Sequence, residues 1–387
     1  MKKTFIISLL LVSASVFAQT PLDKFLSNPA LQNANVGVCV RNLSTGMVVA
    51  NSRSAFVIPP ASTQKLLTTT TALELLGSDF RFSTYLETDS AIVGGVLLGN
   101  LYIRGTGDPT LGSQKIGDQM FLYRWVQALR QKGIREIRGN IIADVSFFDG
   151  DAVNPQWIWE DIGNYYAAGV YALPYLDNTL NIQLNSTAVG QVAAVVKTIP
   201  QIDGIEFENH IRCTSITYDG AYVHGLPYNN KRYLVGSIPA NHGIFGVKGD
   251  IPNPPLLLAQ HLKLRLEEQG IIVHGNADYL TETLQPERTL LYEHRSEPLS
   301  EIIKEINQNS NNLFAESTFY QIAASTGHSQ ATAKDARLVE TEVLTKTGVD
   351  GSLCHVADGS GLSLYNYLSA EAPTMLLRYA WKNAATW

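Results

Sequence analysis

The sequence predicts an α/β fold in which helical segments at both ends enclose a long, mostly β insertion. Three observations carry this. The 387-residue chain is 45% hydrophobic, enough to bury a substantial core in two or more lobes. Helix start and stop marks crowd residues 59–77 and the stretch beyond residue 297. Between them, short β-branched runs alternate with glycine-rich turns.

Met1-Lys2-Lys3, an apolar run from about Phe5 to Phe17 and the small residues Val16 and Ala18 form a secretory signal, with cleavage expected after Ala18. The run is short for a membrane span and no later segment is long and apolar enough, so a soluble periplasmic protein without a transmembrane anchor is expected. Cys39, the first cysteine, is not at the cleavage point, which argues against a lipoprotein anchor.

Val36–Arg41 and Met47–Ala50, joined by Asn42–Gly46, read as a hairpin. Two prolines, Pro59 and Pro60, then open a helix that runs through the threonine-rich Leu66–Leu76 and stops at Gly77. From Phe80 the texture turns to strands: 82–87, 91–98 and 101–104. The turn Gly105–Pro109 contains Gly-x-Gly but lacks the third glycine and the helix of a dinucleotide fingerprint. Helices are expected at 119–132, 255–269, 299–307, 312–323, 331–345 and 370–384, with Val192–Val196 the clearest strand of the middle region. The aromatics of Trp157–Tyr166 read as a packed sub-core.

The formal charge of −6 with interspersed signs gives no basic patch, which argues against a nucleic-acid partner. The three cysteines allow at most one disulfide and read as small buried residues. Eight scattered histidines show no His-Glu-x-x-His spacing, so neither a catalytic metal nor another cofactor is expected.

Two constellations carry chemistry. Ser62 and Lys65 stand three apart at the start of the first long helix and so share a face. A serine hydroxyl is a weak nucleophile until a base takes its proton, and a desolvated lysine amine can be that base. Alone, a serine near a helix start and a solvated lysine is the plainer reading of the pair. Ser310-Asn311-Asn312 lies in a polar turn before another helix, where a hydroxyl can relay a proton and an amide can hold a carbonyl. Helix capping is the plainer reading of that triplet. A Ser-x-x-Lys with a distant Ser-x-Asn is the pairing found in β-lactamases and penicillin-binding proteins.

Five segments make the resemblance specific: Pro60–Lys65, Tyr102–Leu111, His294–Leu299, Ser310–Glu316 and Asp358–Ser363. In this order they resemble the class C low-molecular-mass penicillin-binding proteins, the D-alanyl-D-alanine carboxypeptidase/endopeptidases of peptidase family S13. The resemblance implies a penicillin-binding, serine β-lactamase-like transpeptidase domain formed by residues 19–82 and 285–387, with residues 83–284 inserted between its active-site motifs. It implies that Ser62 is acylated, Lys65 accepts its proton, Ser310 passes the proton to the leaving amine and Asn312 orients the substrate. It also implies peptidoglycan stem peptides as substrates and β-lactams as covalent inhibitors.

The family's third motif, Lys-Thr-Gly on an edge strand, would lie roughly a hundred residues past the Ser-x-Asn. Lys346-Thr347-Gly348 comes too early and reads as the end of a helix. The chain stops at Trp387, before the expected strand, so a truncated gene is expected. Losing one oxyanion donor with that strand would cost roughly 3–4 kcal/mol in the transition state. An impaired penicillin- or peptidoglycan-binding relic is therefore the alternative to an active enzyme, and the long insertion disfavours a β-lactamase.

Overall fold

The computed structural model describes residues 20–149, 151–282, 287–327 and 330–383. The expected signal segment lies outside these residues. The helix Lys65–Leu76 is the centre of the helical lobe. Leu67, Ala72 and all four threonines from Thr68 to Thr71 are buried, so it is wrapped on every side rather than amphipathic. The helices Leu299–Asn309, Asn312–Ala324, Ala333–Lys346 and Glu371–Asn383 pack against it. Asn312–Ala324 is also almost entirely buried. A threonine hydroxyl inside such a layer needs an acceptor. Thr69 donates to the carbonyl of Lys65 four residues back, and Thr68 donates to the carbonyl of Gly359.

The hairpin strands Val38–Arg41 and Val48–Ser52 form a two-stranded antiparallel sheet with the Glu371–Asn383 helix on it. The middle of the chain is built differently. A five-stranded mixed sheet runs in the order Ala277–Leu280, Ile141–Asp144, Leu101–Arg104, Ser83–Thr88, Thr289–Arg295. The helices Phe121–Gln131 and Pro254–Glu268 cover it and close a core around Trp125, Leu129 and Leu262. Three smaller sheets follow, one of them centred on Thr179–Ser186 between Ala194–Ile199 and Gly243–Asp250.

Two strands depart from the sequence reading. Thr289–Arg295, assigned to the outer lobe, forms the edge of the five-stranded sheet by pairing with Ser83–Thr88. Strand pairing over so long a separation leaves no local mark in the sequence. The strand expected at Val192–Val196 starts at Ala194 and runs to Ile199, with Val192 in an isolated bridge to Arg212. Cys213 is buried, whereas Cys39 and Cys354 are half-buried, and all three are thiols.

Arg232 is fully buried and donates through Nε to Asp250 at 2.7 Å and through Nη1 to the carbonyl of Asn229 at 2.6 Å. Stripping one partner from such a pair leaves an uncompensated charge in the core. We expect Arg232→Met to cost about 3–5 kcal/mol, read as a fall in the denaturant midpoint. A loss within about 0.5 kcal/mol, the range of a surface substitution, would show that the pair contributes nothing.

Candidate active site

Ser62 lies in a 3-10 turn, Ala61–Gln64, that precedes the helix, and not in the helix's first α turn as its spacing suggests. The two prolines before it and a left-handed Ala61 (φ 47°) tighten the chain there. The Ser62 amide consequently sits at the start of a helical run, where backbone N–H groups lack intrahelical acceptors and the dipole is positive.

Lys65, buried to within 2% of its surface, reaches back to Ser62: Nζ is 3.1 Å from Oγ. The same Nζ donates to Asn312 Oδ1 and to the carbonyl of Ser360, both at 2.7 Å. Those two oxygens can only accept. A neutral amine has two N–H groups for them and one lone pair left, and that lone pair faces the one neighbour able to donate, the Ser62 hydroxyl. Burial pulls the lysine pKa down to about 8, against the opposing pull of Glu316 and Asp358. Ser310 completes the row with its Oγ 2.9 Å from Ser62 Oγ. It caps the Leu299–Asn309 helix in a left-handed conformation (φ 56°) that non-glycine residues adopt at a cost.

All four residues read from the sequence, Ser62, Lys65, Ser310 and Asn312, thus meet. Asn312 Oδ1 accepts from Lys65, and its Nδ2 donates to the carbonyl of Tyr166 at 2.7 Å.

Sequence reasoning missed the floor beneath this row. Asp358 is buried and accepts from Trp157 Nε1 (2.9 Å), Gly361 N (2.7 Å), Ser363 N (2.6 Å) and Asn366 Nδ2 (2.8 Å). Four donors lock the 358–363 loop so that the Ser360 carbonyl points at Lys65. Gly361 lies against the Ala61 carbonyl, where a Cβ would overlap it. The buried Glu316 accepts the Ser360 N–H at 2.8 Å, and burial followed by the charge of Asp358 raises its pKa to about 8. Glu340 is fully buried, accepts from Gln64 Nε2 at 3.1 Å, and is pushed well up by burial. The signal was available inside Ser310–Glu316 and Asp358–Ser363, but nothing local says that these carboxylates lie under the lysine.

Two other expectations resolve here. Lys346 is the last residue of its helix and pairs at 3.9 Å with Glu74, and Thr347 bonds to the Leu344 carbonyl. The triplet ends a helix, as read. In the Trp157–Tyr166 stretch Trp157 is a core side chain and Tyr166 packs half-buried against the core, whereas Trp159 is 59% and Tyr165 50% exposed, so only two of its four aromatics pack as expected. What the segment supplies is a tether, the Trp157 indole and the Tyr166 carbonyl.

The sequence profile of the D-Ala-D-Ala carboxypeptidase 3 (S13) family matches residues 18–386. The chain belongs to that family. Among its S13 relatives is the D-alanyl-D-alanine carboxypeptidase DacB of Haemophilus influenzae, 26% identical over 91% of this chain and 72% of the relative. Another is the D-alanyl-D-alanine carboxypeptidase of an Actinomadura species, 29% identical over 95% of this chain and 68% of that one. The crystal structure of penicillin binding protein 4 from H. influenzae superposes with a TM-score of 0.78 at 26% identity, over 91% of this chain and 76% of the other. The S13 fold, with its α/β lobe and sheet-rich insertion, is therefore the fold of this chain.

The negative charge of Glu316 favours protonated Lys65, so neutralising it should ease deprotonation of the amine. We expect Glu316→Gln to move the alkaline-rising limb of Ser62 acylation, centred near pH 8 in the parent, to lower pH in stopped-flow acylation profiles. A limb that stays in place would mean that Glu316 does not act on the amine.

Proposed function

We propose that this chain is a serine-type D-Ala-D-Ala carboxypeptidase, with DD-endopeptidase capacity, that works through an acyl-enzyme on Ser62. The observation that carries it is the unbroken row Lys65 Nζ, Ser62 Oγ, Ser310 Oγ, at 3.1 and 2.9 Å. Neutral Lys65 takes the Ser62 proton as Oγ attacks the penultimate D-Ala carbonyl, and the Ser62 N–H faces the developing oxyanion. The proton then passes from Lys65 through the Ser310 hydroxyl to the departing D-Ala nitrogen as the peptide bond breaks. Water enters by the same route in reverse, giving up its proton to the row and releasing the acid from Ser62. Cutting a cross-bridge between two stem peptides follows the same steps with a larger leaving amine.

A β-lactam presents a strained amide to the same hydroxyl and leaves Ser62 acylated. Support comes from the penicillin binding protein 4 of H. influenzae, which has been crystallised with a novel β-lactam. Nothing in the assembled row favours an impaired binding relic over an enzyme. Export to the periplasm is part of this reading. It is supported by the charged start and apolar run of residues 1–18, and among the described residues no helix is long and apolar enough to cross a membrane.

Exposure to benzylpenicillin should add one penicilloyl mass to the parent chain and none to Ser62→Ala, read by intact mass spectrometry. Lys65→Ala should slow acylation by about 10²–10⁴-fold, the usual worth of a general base. An adduct on Ser62→Ala, or parental acylation without Lys65, would overturn the mechanism.

A further inference from the structure

A cavity of about 380 Å³ opens beside Ser310 and Asn312, at the C-terminal end of the Leu299–Asn309 helix. Four charged side chains line it: Lys115, Lys248, Asp177 and Glu305. The two carboxylates are already engaged. Glu305 accepts from Asn309 Nδ2 at 2.6 Å and Asn311 Nδ2 at 3.2 Å. Asp177 accepts from Ser113 Oγ at 2.5 Å and from the Gln114 N–H at 3.2 Å. The two ammonium groups have no carboxylate partner among the described residues. Both are exposed, and Lys248 rests over the exposed Tyr165 ring, 5.6 Å from its centroid. The lining thus carries two ammonium groups without a carboxylate partner beside two carboxylates that neutral donors already hold.

The backbone behind this cavity is strained in a way that local sequence does not demand. Leu176, Asp177 and Asn178 are three successive left-handed residues, with φ of 54°, 55° and 51°. Non-glycine residues resist this conformation, and runs of it survive only when their surroundings hold them. Asn178 is held by the Tyr175 N–H at 2.8 Å and the Gly169 carbonyl at 2.7 Å. The turn delivers the Asp177 carboxylate to the 113–114 backbone, and Ser113 Oγ in turn accepts the Lys115 N–H at 3.1 Å. Lys115 is therefore presented from an anchored loop, and Lys248 from the rigid strand Gly243–Asp250.

We propose that Lys115 and Lys248 form a carboxylate-binding subsite for the peptide substrate, with Tyr165 as its apolar wall and Asp177 as the residue that positions Lys115. The assignment rests on the peptidase reading above. A bound stem peptide carries two candidate carboxylates, its C-terminal one and the α-carboxylate of an internal γ-linked D-Glu. Either would exchange water for two ammonium groups in a partly enclosed site.

The test measures binding without turnover, by calorimetry on Ser62→Ala protein with and without Lys115→Ala/Lys248→Ala. The probes are L-Ala-γ-D-Glu-L-Lys-D-Ala-D-Ala, its isoglutaminyl counterpart and its C-terminal amide. With both lysines present, one amidated peptide should bind about tenfold more weakly than the parent peptide, the effect of two partly screened charge pairs. Without them that difference should vanish, and which amide shows it names the carboxylate. A difference that persists without the lysines, or no difference with them, overturns the subsite. Benzylpenicillin acylation of the chain that retains Ser62 is run alongside. Absence of an adduct there would sink the catalytic reading while the calorimetry still decides the subsite.

Discussion

One buried amine sets the terms for the rest of the lobe. Lys65 can sit 2% exposed only if its polar atoms are satisfied inside the protein, and three separate parts of the chain supply partners. Ser62 comes from its own turn, Asn312 from a helix 247 residues on and the Ser360 carbonyl from a loop 295 residues on. A misplaced partner would leave a buried donor unpaired, at a cost of about 1–3 kcal/mol. The packing of the central helix, the capping of Asn312–Ala324 and the hydrogen bonding of the 358–363 loop are thus all conditions on one nitrogen. The reward is a lysine poised near pH 8 rather than charged throughout the physiological range.

The floor shows why such a site is expensive to build. Three acids, Glu316, Asp358 and Glu340, are buried below the lysine, and two of them have pKa values pushed up by that burial. Asp358 is accommodated by four donors. The charges of Glu316 and Asp358 oppose the effect of burial on Lys65, and burial with the charge of Asp358 raises Glu316 to about 8. Hydrophobic residues of the same volume would pack there at less cost. The strained Ser310 and Ala61, both left-handed, belong to the same pattern of local destabilisation concentrated where chemistry happens.

The inserted region does more than hang from the lobe. Its Trp157 indole holds Asp358 and its Tyr166 carbonyl holds Asn312, so both the floor and the lysine's second acceptor depend on one segment of the insertion. Its loops at 113–115 and its strand bearing Lys248 also frame the cavity beside Ser310. The Lys65–Ser62–Ser310 row and the cavity beside it are therefore built jointly by two parts of the chain that have different architectures.

Much of this was legible in the linear chain. Prolines, glycines and caps located the helices to within a few residues, and Ser62-x-x-Lys65 with Ser310-x-Asn312 marked the groups that meet in the candidate site, because spacing along a helix turn is a local property. The 3-10 turn at Ser62 was not legible, since nothing local marks Ala61 as left-handed or places its carbonyl against Gly361. Nor was the edge strand Thr289–Arg295, whose partner lies some 200 residues earlier. Asn312 is the clearest case. Its place beside Ser310 follows from sequence, but that its amide bridges Lys65 and the Tyr166 carbonyl follows from where those two arrive. Local steric and capping preferences act over a few residues and can be read from them. Which polar groups share a desolvated interior is decided only when distant segments close around it.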